Sequence, residues 1–469
     1  MDGNREELLN LTSSAPQPRG AITSNVPRKC REAQIGGGQM RMICWLTVWG
    51  CVFTGRAPAA EDSTGKPLPV LPVKVEMVCS NVSANTIHGW QSCRLVKFEG
   101  RLYATAGVIR PNEAPGDMMG SDTSSLVFRR EPDGTWPQVA IVKDRSYTWC
   151  VAPDGTFWIV GPTSYEDTKT IRTRIPKDFN SLEQVYNQNA NSYLGAGVNT
   201  EGDFLLLHAK DAKMEAFVPN AVIAAFYDCA SKEWHRSRLE TPEGRYGYEG
   251  ILLHGKTALA VLNSAIRDKD ANPVPPHYSW RHVRLARCDD LTKGRWVNKP
   301  WLMPKYGDTA LQDFMRGPDG LAYLAYAYRS GTNSYEETVK APMLHYIARI
   351  HDDLQADVFP TGIRAGSTRL LVDSAKAWYI VGRLASGQNL HLWKVDDKAG
   401  FKPVKEYELP GTDTFDGYVI HTLRPERFGG ESDGDTVHLM TTKHIYANDQ
   451  KTIDHAELWH AYFDLASAR

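Results

Sequence analysis

From about residue 70 onward the chain repeats one hydrophobic pattern. A short strand ends in a polar turn, and the turn opens a strand that is apolar at nearly every position. Leu95 to Phe98 leads through Gly100 into Leu102-Tyr103-Ala104-Thr105-Ala106. Pro153-Asp154-Gly155 leads into Phe157-Trp158-Ile159-Val160, and Thr200-Glu201-Gly202 into Phe204-Leu205-Leu206-Leu207-His208. His254-Gly255 leads into Ala258-Leu259-Ala260-Val261, and Pro318-Asp319-Gly320 into Ala322-Tyr323-Leu324-Ala325-Tyr326. Asp373-Ser374-Ala375 leads into Trp378-Tyr379-Ile380-Val381, and Gly430 to Asp435 into Val437-His438-Leu439-Met440. The turns recur about every 56 residues, and a second strand pair fits between them, as in Ala225 to Cys229 with Lys232-Glu233-Trp234.

Four strands at this period predict a β-propeller blade. A blade strand covered on both faces needs a continuous apolar run rather than strict alternation. The reading is an all-β, seven-bladed propeller over residues 60–469. Six blades or a two-sheet sandwich are the alternatives. The last repeat is short of one strand, and Val73 to Val78 is expected to supply it, closing the ring and removing exposed sheet edges.

Residues 1–59 read as a leader. A Ser/Pro/Gly-rich extension precedes Met40-Arg41-Met42, the apolar stretch Ile43 to Phe53 and the Ala57-Pro58-Ala59 cleavage pattern, which together spell a signal peptide over about 40–59. The apolar stretch is too short to span a bilayer, which takes about 20 residues. The expected address is secreted or periplasmic, with no membrane span in the mature chain. The 469 residues carry 54 Lys/Arg and 55 Asp/Glu, a formal charge of −1. Cleavage after Ala59 takes away seven basic and four acidic residues, leaving 47 and 51. Without a basic excess, nucleic acid is not an expected partner. A monomer acting on carbohydrate is.

Function in a propeller is expected where loops lead into the innermost strands around the central channel. Those segments hold His88 and Trp90, Arg145, Tyr147 and Trp149, Asn191 and Tyr193, Tyr248 and Glu249, Asp313, Arg369, and Asp416, Tyr418 and His421. Aromatic faces with Arg and Asn donors suit a sugar pocket, and Arg is the forked partner of a carboxylate. Tyr and Trp are also ordinary strand residues, and Arg–Asp pairs often only satisfy buried polar atoms.

His208 stands where sibling strands carry Ala106, Gly161, Val261, Tyr326, Val381 and Thr441. Its near-neutral pKa suits a general base; a core histidine bonded to a carbonyl is the bland alternative. With Tyr246 and Arg245 it makes a workable set for β-elimination beside a uronate, while a Tyr nucleophile with a carboxylate such as Asp313, Glu249 or Asp416 would suit hydrolysis. Metal signatures such as H-E-x-x-H and C-x-x-C are absent from the sequence. No cofactor is expected. Cys79, Cys93, Cys150, Cys229 and Cys288 follow the leader, and a disulfide or a structural metal ion among them is the alternative to plain packing.

The turn rhythm, Pro153-Asp154-Gly155-Thr156-Phe157-Trp158, Gly317-Pro318-Asp319-Gly320 and Arg245-Tyr246 together resemble the BNR-repeat, sialidase-like propellers. More narrowly they resemble the BNR-4-type polysaccharide enzymes, among them ulvan lyases and rhamnosidases. The resemblance covers about 85% of the chain. No S-x-D-x-G-x-T-W box is intact; Pro132-Asp133-Gly134-Thr135-Trp136 is a fragment of one. The resemblance implies an exported enzyme that cleaves glycosidic bonds of acidic or deoxy-sugar polysaccharide, by β-elimination or hydrolysis, with a His/Tyr/Arg site for lyases. A propeller that only binds glycan or protein is the alternative.

Overall fold

The apolar strands read from the sequence become the second strands of seven four-stranded antiparallel sheets among the described residues. This is a computed structural model. It describes residues 67–469 except 84–85, 87–88, 109–123, 143–147, 163–166, 175–182, 190–194, 210–220, 242–244, 268–277, 332–333, 385–387, 416, 418 and 447–452, and a few further side chains beside these. The described residues belong to one unit, Trp49–Arg469. The leader expectation lies outside them. No described helix is long and apolar enough to cross a membrane.

The sheets are the blades of a propeller. The innermost strands of blades 1 to 6 are Leu95–Phe98, Thr148–Val151, Gly195–Val198, Arg245–His254, Asp308–Arg316 and Gly366–Val372, and blade 7 opens with the two residues His421–Thr422. The inner strands of blades 1 to 6 pack side by side in succession. Blade 7 is completed by Lys74–Val82, which pairs antiparallel with Ile453–Asp464. The chain's first strand thus closes the ring on its last, as the short final repeat predicts. Glu76 anchors the seam: it accepts bonds from Arg130 Nε (2.8 Å) and Nη2 (2.6 Å) and from Trp136 Nε1 (3.1 Å). Burial alone would raise the Glu76 pKa, but the bonds from Arg130, His460 and Trp136 hold it well below the usual carboxylate range.

The cores lie between blades. One joins Leu205, Leu207 and Phe226 of blade 3 to Tyr246, Ile251 and Leu262 of blade 4. On the other side of blade 3, Phe204 stacks on Trp158 of blade 2 at 4.6 Å. In the turn Pro132 to Trp136 the Asp133 carboxylate accepts from Thr135 N and Oγ1 at 3.0 and 2.7 Å, and Trp136 is buried.

Antiparallel pairing puts first-to-second and third-to-fourth turns at one end of the propeller and all other connections at the opposite end. At the first end the inner turns are short, spanning 99–100, 152–155, 199–203, 255–256, 317–321 and 373–377. At the opposite end the described strand ends are separated by longer stretches of sequence: 17 residues between Gly107 and Ser125, 12 between Ala209 and Val222, 10 between Arg267 and Tyr278 and 14 between Arg329 and Leu344. That end is the long-loop face.

Candidate functional site

Three inner strands under the long-loop face are irregular at corresponding places. Their ladders shift between Gly247 and Gly250, between Leu311 and Asp313, and between Gly366 and Arg369. Tyr248 and Ser367 take left-handed φ values of 59° and 50°. A bulge inserts one residue and re-aims its neighbours, here in blades 4, 5 and 6 in succession. The residues involved, Glu249, Gln312 and Thr368, are all buried. Thr368 Oγ1 bonds to Gln312 Oε1, Thr368 N donates to the same oxygen at 3.1 Å, and His345 Nε2 lies 2.8 Å from Thr368 Oγ1. Burial without a charged partner pushes the His345 pKa down to about 3.

The axis itself is filled. In blade 7 the first-to-second connection is the long one, 423–435, and it carries the short helix Pro425–Phe428. That helix packs against the inner strands of blades 2, 3, 4 and 5. Gly429 lets it do so: its φ is 71°, and a Cβ there would overlap the Val151 carbonyl oxygen. Arg424, just before the helix, forks onto Asp313 and donates to the Leu370 carbonyl at 2.5 Å. Asp313 also accepts from Leu370 N at 2.8 Å and Phe314 N at 3.0 Å. Burial would raise its pKa, but Arg424 and Arg369 hold it below the ordinary value. So held, Asp313 has no proton to give at neutral pH; it ties blades 5, 6 and 7 together.

Around this tie the centre is rich in buried arginine. Arg94, Arg369, Arg424 and Arg427 are all under 9% exposed. Desolvation pulls the Arg369 pKa down to about 9 and that of Arg427 to about 10. His421, 3% exposed, points Nε2 at the Gly89 carbonyl at 3.2 Å. That contact fixes Nε2 as the protonated nitrogen and leaves Nδ1 as a bare acceptor, without a hydrogen-bond partner among the described residues. Burial, and then the Arg369, Arg94 and Arg427 charges, drive its pKa well below 6.5.

The sequence-derived candidates fall into three groups. Asp313, Arg369, His421 and Trp90 meet at the axis; Trp90 crosses it, so that a Cβ on Gly250 of blade 4 would overlap the indole. Glu249 is buried in the blade 4 bulge, and Tyr248 beside it is half-buried. Trp149, His208 and Tyr246 are buried between blades: Trp149 meets Phe157 edge-on at 4.2 Å, and Tyr246 sits in the core shared by blades 3 and 4. His208 pairs in register with Ile223. Side chains alternate along a strand, so His208 shares the Phe204 face toward blade 2, while Leu205 and Leu207 face Tyr246. The structure does not bring His208 and Tyr246 together. Arg245 heads the blade 4 inner strand, its side chain outside the described residues. His88, Arg145, Tyr147, Asn191, Tyr193, Asp416 and Tyr418 also lie outside them.

Cys79, Cys93, Cys150, Cys229 and Cys288 are free thiols. Burial pushes Cys93 up to about 12 and Cys150 well above 9.0. No metal-ligating cluster occurs among the described residues.

No family model matches the chain, and no curated protein sequence matches it. Solved structures do. An ulvan lyase of the polysaccharide lyase family PL25 aligns with TM-score 0.52 at 10% identity, over 81% of this chain and 94% of its own. The same lyase bound to -[GlcA(1-4)Rha3S]- aligns equally well. The α-L-arabinofuranosidase Arb93A of Fusarium graminearum gives 0.46 at 11%, over 84% and 98%. At such identities the likeness is one of fold: this chain is a β-propeller similar to those of carbohydrate-active enzymes.

Proposed function

We propose that this chain is an exported carbohydrate-active enzyme that cleaves glycosidic bonds of acidic polysaccharide at the long-loop face, by β-elimination or hydrolysis. The observation that carries the reading is the arginine-rich floor beneath that face, with His421 holding a bare Nδ1 among the guanidiniums. Arginine neutralises a uronate or sulfate, and neutral imidazole is the form that accepts a proton. An acidic group docking there would offset the Arg charges and raise the His421 pKa toward the useful range. The propeller fold shared with a lyase acting on ulvan agrees with this reading.

Burial of His208 and Tyr246 favours the second reading, a propeller that binds glycan without turnover. The test is incubation with a panel of uronate-containing and neutral polysaccharides. A rise in ultraviolet absorbance marks the unsaturated product of a lyase; reducing ends without it mark hydrolysis. Calorimetric binding with neither product would establish the second reading, and silence on every acidic polymer overturns both. Retained turnover in His208→Gln, Tyr246→Phe and Arg245→Ala would remove that set from the chemistry.

A further inference from the structure

The carboxylates at the propeller axis are unevenly shared. Asp313 pairs with Arg424, and Glu426 also approaches Arg424, at 3.9 Å. Among the described residues neither Arg369 nor Arg427 has a carboxylate within the 4.0 Å of an ion pair. Arg369 Nη1 donates to the carbonyl of its neighbour Thr368, at 3.2 Å. Arg427 is 1% exposed, and its Nε and Nη2 have no hydrogen-bond partner among the described residues. The guanidinium carbon lies 5.2 Å from the Trp90 ring and 4.7 Å from the Phe428 ring. Trp90 is 6% exposed, and its indole Nε1 also has no partner among the described residues. Aromatic faces offset part of a buried cation's desolvation. They leave N–H donors unmet, and an unmet charged donor in a dry interior is costly.

Cationic and neutral N–H donors, aromatic walls and, among the described residues, no carboxylate in ion-pair range of Arg427 define a site for a small, weakly hydrated anion. We propose that the propeller axis binds a halide ion of the chloride class, held by the Arg427 guanidinium and the Trp90 indole N–H. The ion completes the plug: it neutralises Arg427, and thereby fixes the helix Pro425–Phe428 against the inner strands of blades 2 to 5. Its role is structural, and it is independent of any substrate on the loop face.

The test uses the whole protein without polysaccharide. Chloride is dialysed out against sodium gluconate, and sodium chloride or bromide is titrated back at constant ionic strength. Tm is expected to rise by a few degrees and saturate with halide, since a ligand bound only by the folded state stabilises by mass action. Crystals grown in bromide should show an anomalous peak within hydrogen-bond distance of Arg427. Arg427→Met should abolish the halide dependence of Tm. Equal Tm in gluconate and chloride overturns the proposal. So does a halide-dependent Tm with no bromide at Arg427, a measurement that needs only the wild-type chain should Arg427→Met fail to fold.

Discussion

At the scale of single residues, the inner turns offer a natural control. Six of the seven hold a glycine in the left-handed region: Gly100, Gly155, Gly202, Gly255, Gly320 and Gly434. The turn of blade 6 uses Lys376 instead, at φ 64°. Its amide makes the same bond as those of Gly155, Gly202 and Gly320, here to the Asp373 carbonyl at 2.9 Å, so only the Cβ is out of place. Lys376→Gly should stabilise by about 0.5–1 kcal/mol, the left-handed strain relieved less the extra entropy glycine loses on folding. Urea unfolding measures it, and an unchanged midpoint refutes the strain. Gly250 is the opposite case. A methyl there meets the Trp90 indole, and overpacking of that kind costs about 1–3 kcal/mol. Gly250→Ala should be destabilised, and Trp90→Leu in the same chain should recover part of the loss. Additive effects in that double-mutant cycle would mean that the two do not touch.

At the scale of elements, the blades were legible because burial on both faces writes itself into a strand as an unbroken apolar run, as in Phe204 to Leu207. The closing strand was legible from the missing fourth strand of blade 7. The helix Pro425–Phe428 was not, because four residues show no period and 423–435 reads as one more turn. Its signal was present only as Arg424 and Arg427 framing Pro425-Glu426, with two glycines after them. The bulges were hidden likewise, since an extra residue changes register without changing composition. His208 shows a related limit: an outlier in a strand shows that a side chain differs, not which blade it faces. The link between blades 5 and 6 yields a pH prediction. His345 is buried neutral with its pKa near 3, against 6.5 when unfolded. Between those values the unfolded chain binds the extra proton, so stability is full above about pH 6.5 and falls as pH drops. The slope from this one group approaches about 1.4 kcal/mol per pH unit. His345→Gln should flatten the acid limb of a stability–pH curve by up to that much. An acid limb as steep as that of the wild type would remove His345 from the account.

At the scale of the whole molecule, a ring has no ends only while its seam holds. The seam is the strand Lys74–Val82, and ahead of it Leu71 is buried in the core that joins blades 6 and 7. Without that strand, Ile453–Asp464 becomes an open edge, which invites intermolecular pairing. Arg130 would also lose Glu76, leaving a guanidinium 20% exposed without its carboxylate, and breaking a largely buried pair from one side costs about 3–5 kcal/mol. A chain starting at residue 60, the mature end expected from the leader, should melt like the full chain in one transition. A chain starting at residue 83 should aggregate or melt far lower, and a synthetic peptide of residues 67–82 should restore it by supplying the strand in trans. Glu76→Gln should fall between the two, since it keeps the strand and removes only the charge. Equal melting of the chains starting at 60 and at 83 would mean that blade 7 stands on three strands. The first strand would then be an ornament of the fold rather than its closure.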